Sequence, residues 1–330
     1  MQLKPGFTFV PLTSPQPDCP PVTPPVDPDP PYGYLSLLPG HWAGTGFNMI
    51  TRPFFEPGSS QSHFLELNLT NETIDFALIQ GAIPNRGRLQ GDIDMYGLTY
   101  LQQVSDANLS SPGNIVGLHA EPGVWANVPA TTAPAEPPTV VRMASIPHGT
   151  AIIAQGTAVE VQGLPDFDEP APPYPNAFNP KTKVPFTVEE AKDITQFSCY
   201  RSSGKQVDGI TQAMLDTPVA TMLKSVTAKQ DILSTVIIAV STLSGDPTDP
   251  TVTCGGGTAN TAFLAGESFP GGGGAPNALA AQVDSTFWIE TVQGPNGTTF
   301  LQLQYRQTVF LEFDGLFWPH VSVATLLKQS

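Results

Sequence analysis

The chain of 330 residues carries 14 basic and 29 acidic residues, which gives a formal net charge of −15, and only 13% of its residues are charged. This acidic balance excludes nucleic-acid binding and docking to anionic membranes, because a phosphate-rich surface requires a basic face. With 36 prolines, 30 glycines and 40% hydrophobic residues, the composition favours an all-β domain with long loops over a disordered chain or a coiled coil.

The N-terminal segment, 1–38, is a proline-dense arm. Prolines lack the backbone donor that a sheet requires, and they favour the polyproline II conformation. We therefore expect the arm to form an extended strap along the surface. The remainder, 39–330, is predicted to form a single β-barrel domain.

Strand patterns begin after the arm. Segments that mix β-branched or aromatic residues with polar ones alternate with short Asn, Gly and Pro clusters, which is typical of an antiparallel meander. In one of them Leu65, Leu67 and Leu69 share a face. The predicted strands of this part of the chain are 41–50, 63–68, 73–79, 98–104, 117–128, 139–146 and 150–161.

Residues 162–230 break this rhythm and are predicted to form a partly helical insertion that packs on the main body. Thr187 caps a short helix with Glu190 three residues on. The segment 210–224 predicts a second helix, interrupted at Pro218. Two Gly-rich pieces further along the chain lack the lysine of a phosphate-binding loop, so we interpret them as ordinary loops.

Strand patterns return in the last third of the chain, at 232–243, 278–292, 300–313 and 318–328. A Pro-Asn-Gly turn and an Asp-Gly turn join the last three as hairpins. No helices alternate with the strands, which argues against a parallel sheet. Closure removes exposed sheet edges, so we predict an antiparallel, lipocalin-like barrel of roughly ten strands.

Three features of the chain indicate a cytoplasmic protein. Its longest strongly apolar run, 232–240, is far shorter than the ~20 residues that span a bilayer. Proline-rich sequence follows the N-terminus before a secretory signal can form. Cys19, Cys199 and Cys254 are an odd number at scattered spacings, which supports neither a disulfide framework nor a zinc site.

The common catalytic motifs are missing from this sequence. There is no G-x-S-x-G nucleophile elbow, and the carboxylates are scattered. None of the histidines share a metal-binding spacing; they are His41, His63, His119, His148 and His320. We therefore look for function in a bound cofactor or ligand.

One motif stands out at the start of the first strand, where 40–46 reads G-H-W-A-G-T-G. Trp42 can close one end of a barrel by burying its large ring. The glycines permit a tight entry turn and a strand that bends across the barrel floor. The pattern G-x-W by itself is typical of lipocalin-type barrels. A purely structural role of these residues would explain it.

The full heptad resembles the signature of the nitrobindins, the haem-binding β-barrels. Later segments follow the order of that family: 117–125 resembles its L-H-x-E-x-G-aromatic strand, 152–161 its A-Q-P-x-G strand, and 319–328 its closing H-L-x-A-x-L-x-R strand. The resemblance covers roughly 39–161 and 278–328. It leaves out the arm and 162–277.

This resemblance implies a haem b cofactor, with His320 as the axial iron ligand and His119 as a distal or alternative ligand. It also implies reaction with nitric oxide, peroxynitrite or peroxide at an open ferric site, including isomerisation of peroxynitrite to nitrate. The family motif places further cofactor contacts at Gly40, Trp42, Gly44, Thr45 and Gly46. Arginines that could pair with haem propionates are Arg52, Arg86, Arg88, Arg142 and Arg306.

The residues around His320 allow the haem role without requiring it. On a strand, His320 shares a face with Ser322 and Ala324, whose small side chains leave room for a flat macrocycle. The structural alternative is a histidine hydrogen-bonded to a nearby carbonyl. A different functional alternative is a carrier of a fatty acid, isoprenoid or pigment without catalysis. The chain could act as a monomer or as a homo-oligomer.

Overall fold

The computed structural model describes residues 31–53, 63–87, 91–133, 135–146, 150–170, 176–177, 209–242, 257–260, 279–313 and 316–329. Several predictions lie outside these residues: the arm up to 30, the helix at 187, His148, and all three cysteines. No helix in the described ranges is long and apolar enough to cross a membrane.

Ten antiparallel strands form a closed barrel, which confirms the predicted fold class. Each strand pairs with the next along the chain, and the last pairs with the first over nine residue pairs. The strands are β1 (Gly40–Pro53), β2 (His63–Leu78), β3 (Ile93–Asp106), β4 (Gly117–Val128), β5 (Thr139–Ile146), β6 (Thr150–Gln162), β7 (Ile232–Ser241), β8 (Leu279–Gln293), β9 (Thr299–Phe313) and β10 (Leu316–Lys328).

Strand β2 differs from its prediction, because the segments 63–68 and 73–79 are one continuous strand. The polar run between them resembles a turn in the sequence. In the structure, Glu72 and Thr70 of this run point into the barrel and are buried. The strand continues because its backbone pairs with β1 on one side and with β3 on the other.

The inward face of the barrel carries an apolar cluster centred on Trp42, which is 0% exposed. A short 3-10 helix, Gly33–Leu37, covers that end of the barrel. Its Leu35 and the following Leu38 belong to the same cluster, and the Trp42 indole donates to the Leu38 carbonyl at 2.7 Å. The last residues of the predicted extended arm therefore form a helical cap, because their leucines are buried against the Trp42 ring.

A second apolar cluster lies on the outer wall. Leu65 and Leu67 belong to it with Phe47 and Met49, on the face of β1 and β2 opposite to Trp42. The helical segment 212–227 covers this wall; it consists of the α-helix Gln212–Asp216, the π-helix Val219–Lys224 and the turn Ser225–Thr227. The segment buries Leu215, Val219 and Leu223 there. This confirms the partly helical insertion, including the interruption next to Pro218.

Short strands extend the sheet beyond the barrel. Ile83–Asn85 pairs with β3, Gly257–Asn260 with β6, and Asn176–Ala177 with β10. Thr131–Thr132 and Ala135–Glu136 form a separate two-stranded hairpin. None of these additions breaks the closure of the ten-stranded barrel.

Two glycines of the Trp42 motif allow β1 and β10 to approach closely. A Cβ atom at Gly44 would lie 2.0 Å from the Thr325 carbonyl oxygen. A Cβ atom at Gly46 would lie 2.5 Å from the Val323 carbonyl oxygen. Closure of the barrel thus explains Gly44 and Gly46.

We expect Gly44→Ala to lower the free energy of unfolding by about 2–3 kcal/mol, because the added methyl overlaps backbone that cannot move without separating the strands. Urea denaturation measures this change. Gly91→Ala is the matched control, because no atom lies within 4 Å of a Cβ at Gly91, and it should change stability by less than about 0.5 kcal/mol. Equal effects of the two substitutions would contradict the close-approach explanation.

Candidate functional site

A buried ion pair joins β4 and β5 inside the barrel. The Arg142 guanidinium bonds a carboxylate oxygen of Glu121, and the two side chains are 1% and 0% exposed. The Tyr100 hydroxyl donates to the same oxygen and accepts from Arg142 Nε at 2.9 Å. Arg142 Nη1 also donates to Ser285 Oγ at 3.0 Å and to Gln307 Oε1 at 2.7 Å. One guanidinium thus links β3, β4 and β5 to β8 and β9.

A second buried group centres on Glu72 of β2. Tyr305 Oη donates to Glu72 Oε2 at 2.5 Å, and Thr70 Oγ1 donates to Glu72 Oε1 at 2.7 Å. The Gln102 amide nitrogen donates to Tyr305 Oη at 2.9 Å and lies 3.3 Å from Glu72 Oε2. The barrel interior therefore has a polar layer next to the apolar cluster around Trp42.

The two buried carboxyl groups differ in their protonation. Burial alone would raise the pKa of Glu121, but the charge of Arg142 and the bonds from His119 and Tyr100 lower it to about 2. Burial raises the pKa of Glu72 above its ordinary value, and only hydrogen bonds and a distant histidine oppose that shift. The interior thus contains a permanent ion pair beside a carboxyl group that keeps its proton to higher pH than an exposed glutamate.

His320 lies on the inward face of β10. Ala324 on the same face belongs to the interior cluster, and strand alternation places Ser322 and His320 on that face too. The direct cross-strand neighbours of His320 are Ile50 on β1 and Val309 on β9. The imidazole is therefore flanked by two aliphatic residues, near the start of the strand and away from the Trp42 end.

His119 occupies the corresponding place on β4, near the strand end that is farther from Trp42. Its side chain is 21% exposed, and its Nε2 lies 3.4 Å from Glu121 Oε2. Strands β4 and β10 are four strands apart around a ring of ten. The two histidines therefore come from nearly opposite walls of the barrel.

The other sequence candidates lie elsewhere. Thr45 is exposed on the outer face of β1, and His41 is an exposed residue that bonds Asp75 at 2.7 Å. Gly40, at the entry of β1, has a φ of +127°, a value that favours glycine. The side chain of His63 lies outside the described residues. Trp42 closes the barrel end away from His320, whereas Gly46 pairs with Ala324 on the face that carries His320.

The arginines that were candidates for pairing with haem propionates also lie in different places in the structure. Arg142 is fully engaged in hydrogen bonds inside the barrel, and Arg306 lies on the outer wall of β9. Arg86 is exposed in a loop, whereas the side chains of Arg52 and Arg88 lie outside the described residues.

The polar layer inside the barrel was not predicted from the sequence. Glu72 lies between two predicted strands, and Tyr305 lies within a predicted strand. Glu121 stands within the L-H-x-E-x-G segment, so its place two residues after His119 was the available signal. Charged residues inside strands that otherwise alternate correctly are the pattern that identifies such a layer.

No protein family model and no curated protein matches this chain. The part of the chain that the structure describes contains no group of three or more His, Cys, Asp or Glu side chains that could hold a metal ion. The structure alone therefore shows the β-barrel fold.

The residues around His320 fit a haem in part. A coordinating nitrogen must be unprotonated, whereas Nε2 of His320 lies 3.1 Å from the Thr51 carbonyl oxygen, to which a protonated Nε2 donates. Coordination through Nε2 would replace that hydrogen bond, at a cost of about 1 kcal/mol. The aliphatic neighbours and the small Ser322 suit a flat apolar cofactor, and the loss of one hydrogen bond is small against an iron–nitrogen bond.

Proposed function

We propose that this chain is a haem b-binding β-barrel protein with His320 as the axial ligand of the iron. The observation that supports the proposal is the position of His320 on the inward face, between Ile50 and Val309, with Ser322 and Ala324 next along the face. Those neighbours place an aliphatic surface and two small side chains beside one imidazole. His119 on the far wall is the proposed distal residue.

When bound, ferric haem b supplies a coordination position for nitric oxide, peroxynitrite or peroxide. The chain's own contribution at that position would be the His119 imidazole, which Glu121 orients through Nε2. Because Glu121 stays ionised in its bond to Arg142, it favours a proton on that nitrogen. His119 would then present a polar group to a bound oxidant, whereas His320 holds the iron.

A hemin titration read in the Soret region tests the proposal. We expect the wild type to bind hemin with a sharp Soret band. His320→Ala should weaken binding at least tenfold and change the spectrum, because it removes the proposed bond to iron. His119→Ala should keep the affinity within about threefold and alter the reaction with peroxide or nitric oxide.

His41→Ala is the matched control, because His41 is exposed and points away from the interior. It should leave both affinity and spectrum unchanged. A wild type that takes up no hemin would contradict the haem proposal and favour the carrier of a non-haem apolar ligand. A loss of affinity that maps to His119 instead would contradict the assignment of His320.

A further inference from the structure

An open cleft of about 410 Å³ lies on the outer wall of the barrel, across β6, β7, β8 and β9. It is separate from His320, because most of its lining belongs to the outward faces of these strands. Asp168, from the segment after β6, stands at its side. Its outward-facing lining is polar at Gln155, Ser241, Asp284, Thr286, Arg306 and Thr308 and apolar at Ala239 and Phe310. Val240 and Ser285 also border the cleft, but their side chains belong to the barrel interior.

Among the described residues of this lining, Arg306 is the only cation, and its donors are largely unused. Its Nε is buried and has no hydrogen-bond partner. Its Nη2 makes one long contact, 3.4 Å to Thr286 Oγ1. In the described part of the chain no carboxylate lies within ion-pair distance of this guanidinium. A buried donor of a charged group without a partner is costly, so a bound anion would satisfy a deficit that the chain itself leaves.

The two carboxylates of the cleft determine the charge of that anion. Asp284 is engaged, because Ser241 Oγ donates to its Oδ1 at 2.5 Å and the Gln282 amide bonds its Oδ2. Asp168 is exposed on the rim. With one cation and two carboxylates nearby, a doubly charged phosphate would be repelled, whereas a singly charged carboxylate can pair with the planar guanidinium.

The rest of the lining indicates the chemistry of the ligand's body, the part other than its carboxylate. Phe310 and Ala239 supply apolar surface beside Arg306. Small-molecule sites typically combine apolar surface with convergent polar groups, and this mostly polar cleft provides both around Arg306. We infer that this cleft binds a small monocarboxylate with an aromatic or aliphatic body, whose carboxylate pairs with Arg306. This inference does not depend on the haem proposal.

The test uses 3-phenylpropionate as the probe and the full-length chain without added hemin. Calorimetry should detect binding to the wild type, and 3-phenylpropanol, which lacks the carboxylate, should bind at least tenfold more weakly. Arg306→Gln should weaken binding of 3-phenylpropionate at least tenfold. Arg306→Lys should recover part of the affinity, because it keeps the charge but loses the planar fork.

Two further variants separate a change in binding from a loss of folding. Asp168→Asn, an exposed change, should tighten binding two- to threefold by removing a repelling charge. Arg86→Gln, at an exposed loop arginine, should have no effect. Absence of wild-type binding, equal binding of the alcohol, or binding that persists in a folded Arg306→Gln variant would overturn the inference.

Discussion

Replacing Arg142 with Met is expected to lower the free energy of unfolding by about 3–5 kcal/mol, enough to unfold a marginal barrel. The substitution leaves the Glu121 carboxylate buried without its cation, while Tyr100, Ser285 and Gln307 each lose a bond to the guanidinium. The methionine retains part of the contact with the aromatic rings that surround the guanidinium. Chemical denaturation at neutral pH measures the change.

The double variant Glu121→Gln with Arg142→Met provides the control. Because it removes the stranded charge together with the cation, it should recover at least half of the loss. Arg86→Met, at an exposed arginine, should stay within about 0.5 kcal/mol of the wild type. Equal stability of the single Arg142 variant and the wild type would show that this network does not stabilise the fold.

A second large effect is expected from Glu290, which lies beneath the helical segment on the outer wall. Glu290 is 0% exposed, and its Oε2 accepts from the Gln302 amide at 2.6 Å. Gln302 also bonds Gln230, which follows the helical segment. Glu290 Oε1 and the nearby Trp288 indole nitrogen have no partner. Burial, opposed only by the Gln302 bond, raises the pKa of Glu290 to about 7.

Glu290→Gln is expected to increase stability above pH 7 and to have little effect below about pH 4.5. In the unfolded chain this carboxyl ionises near 4.5, whereas in the folded chain it ionises near 7. Between these values the folded state binds more protons, so wild-type stability falls as pH rises and levels off above 7. The full difference corresponds to about 3 kcal/mol.

Thermal or urea denaturation of both proteins from pH 4 to pH 8.5 measures this effect. Glu160→Gln is the matched control, because Glu160 is exposed on β6, and its curve should follow the wild type at every pH. Parallel curves for Glu290→Gln and the wild type would show that burial of this carboxyl does not couple its ionisation to folding.

Much of the architecture follows from local chemistry in the sequence. Alternation of apolar and polar residues locates nine of the ten strands to within a few residues, and the Pro-Asn-Gly turn determines the hairpin of β8 and β9. Pro218 correctly predicts the break in the helical segment, because proline cannot donate within a helix. These features depend on residues that are close in the chain, so the sequence alone determines them.

Only the tertiary structure decided which faces are buried and which side chains meet. Alternation shows that Leu65 and Leu67 share a face, but they lie on the outer wall because the helical segment covers it. Glu121 and Arg142 meet because neighbouring strands bring them together, whereas Ser285 reaches Arg142 across the barrel. The physical reason is that closure and coverage depend on contacts between distant parts of the chain, and local periodicity carries no information about them.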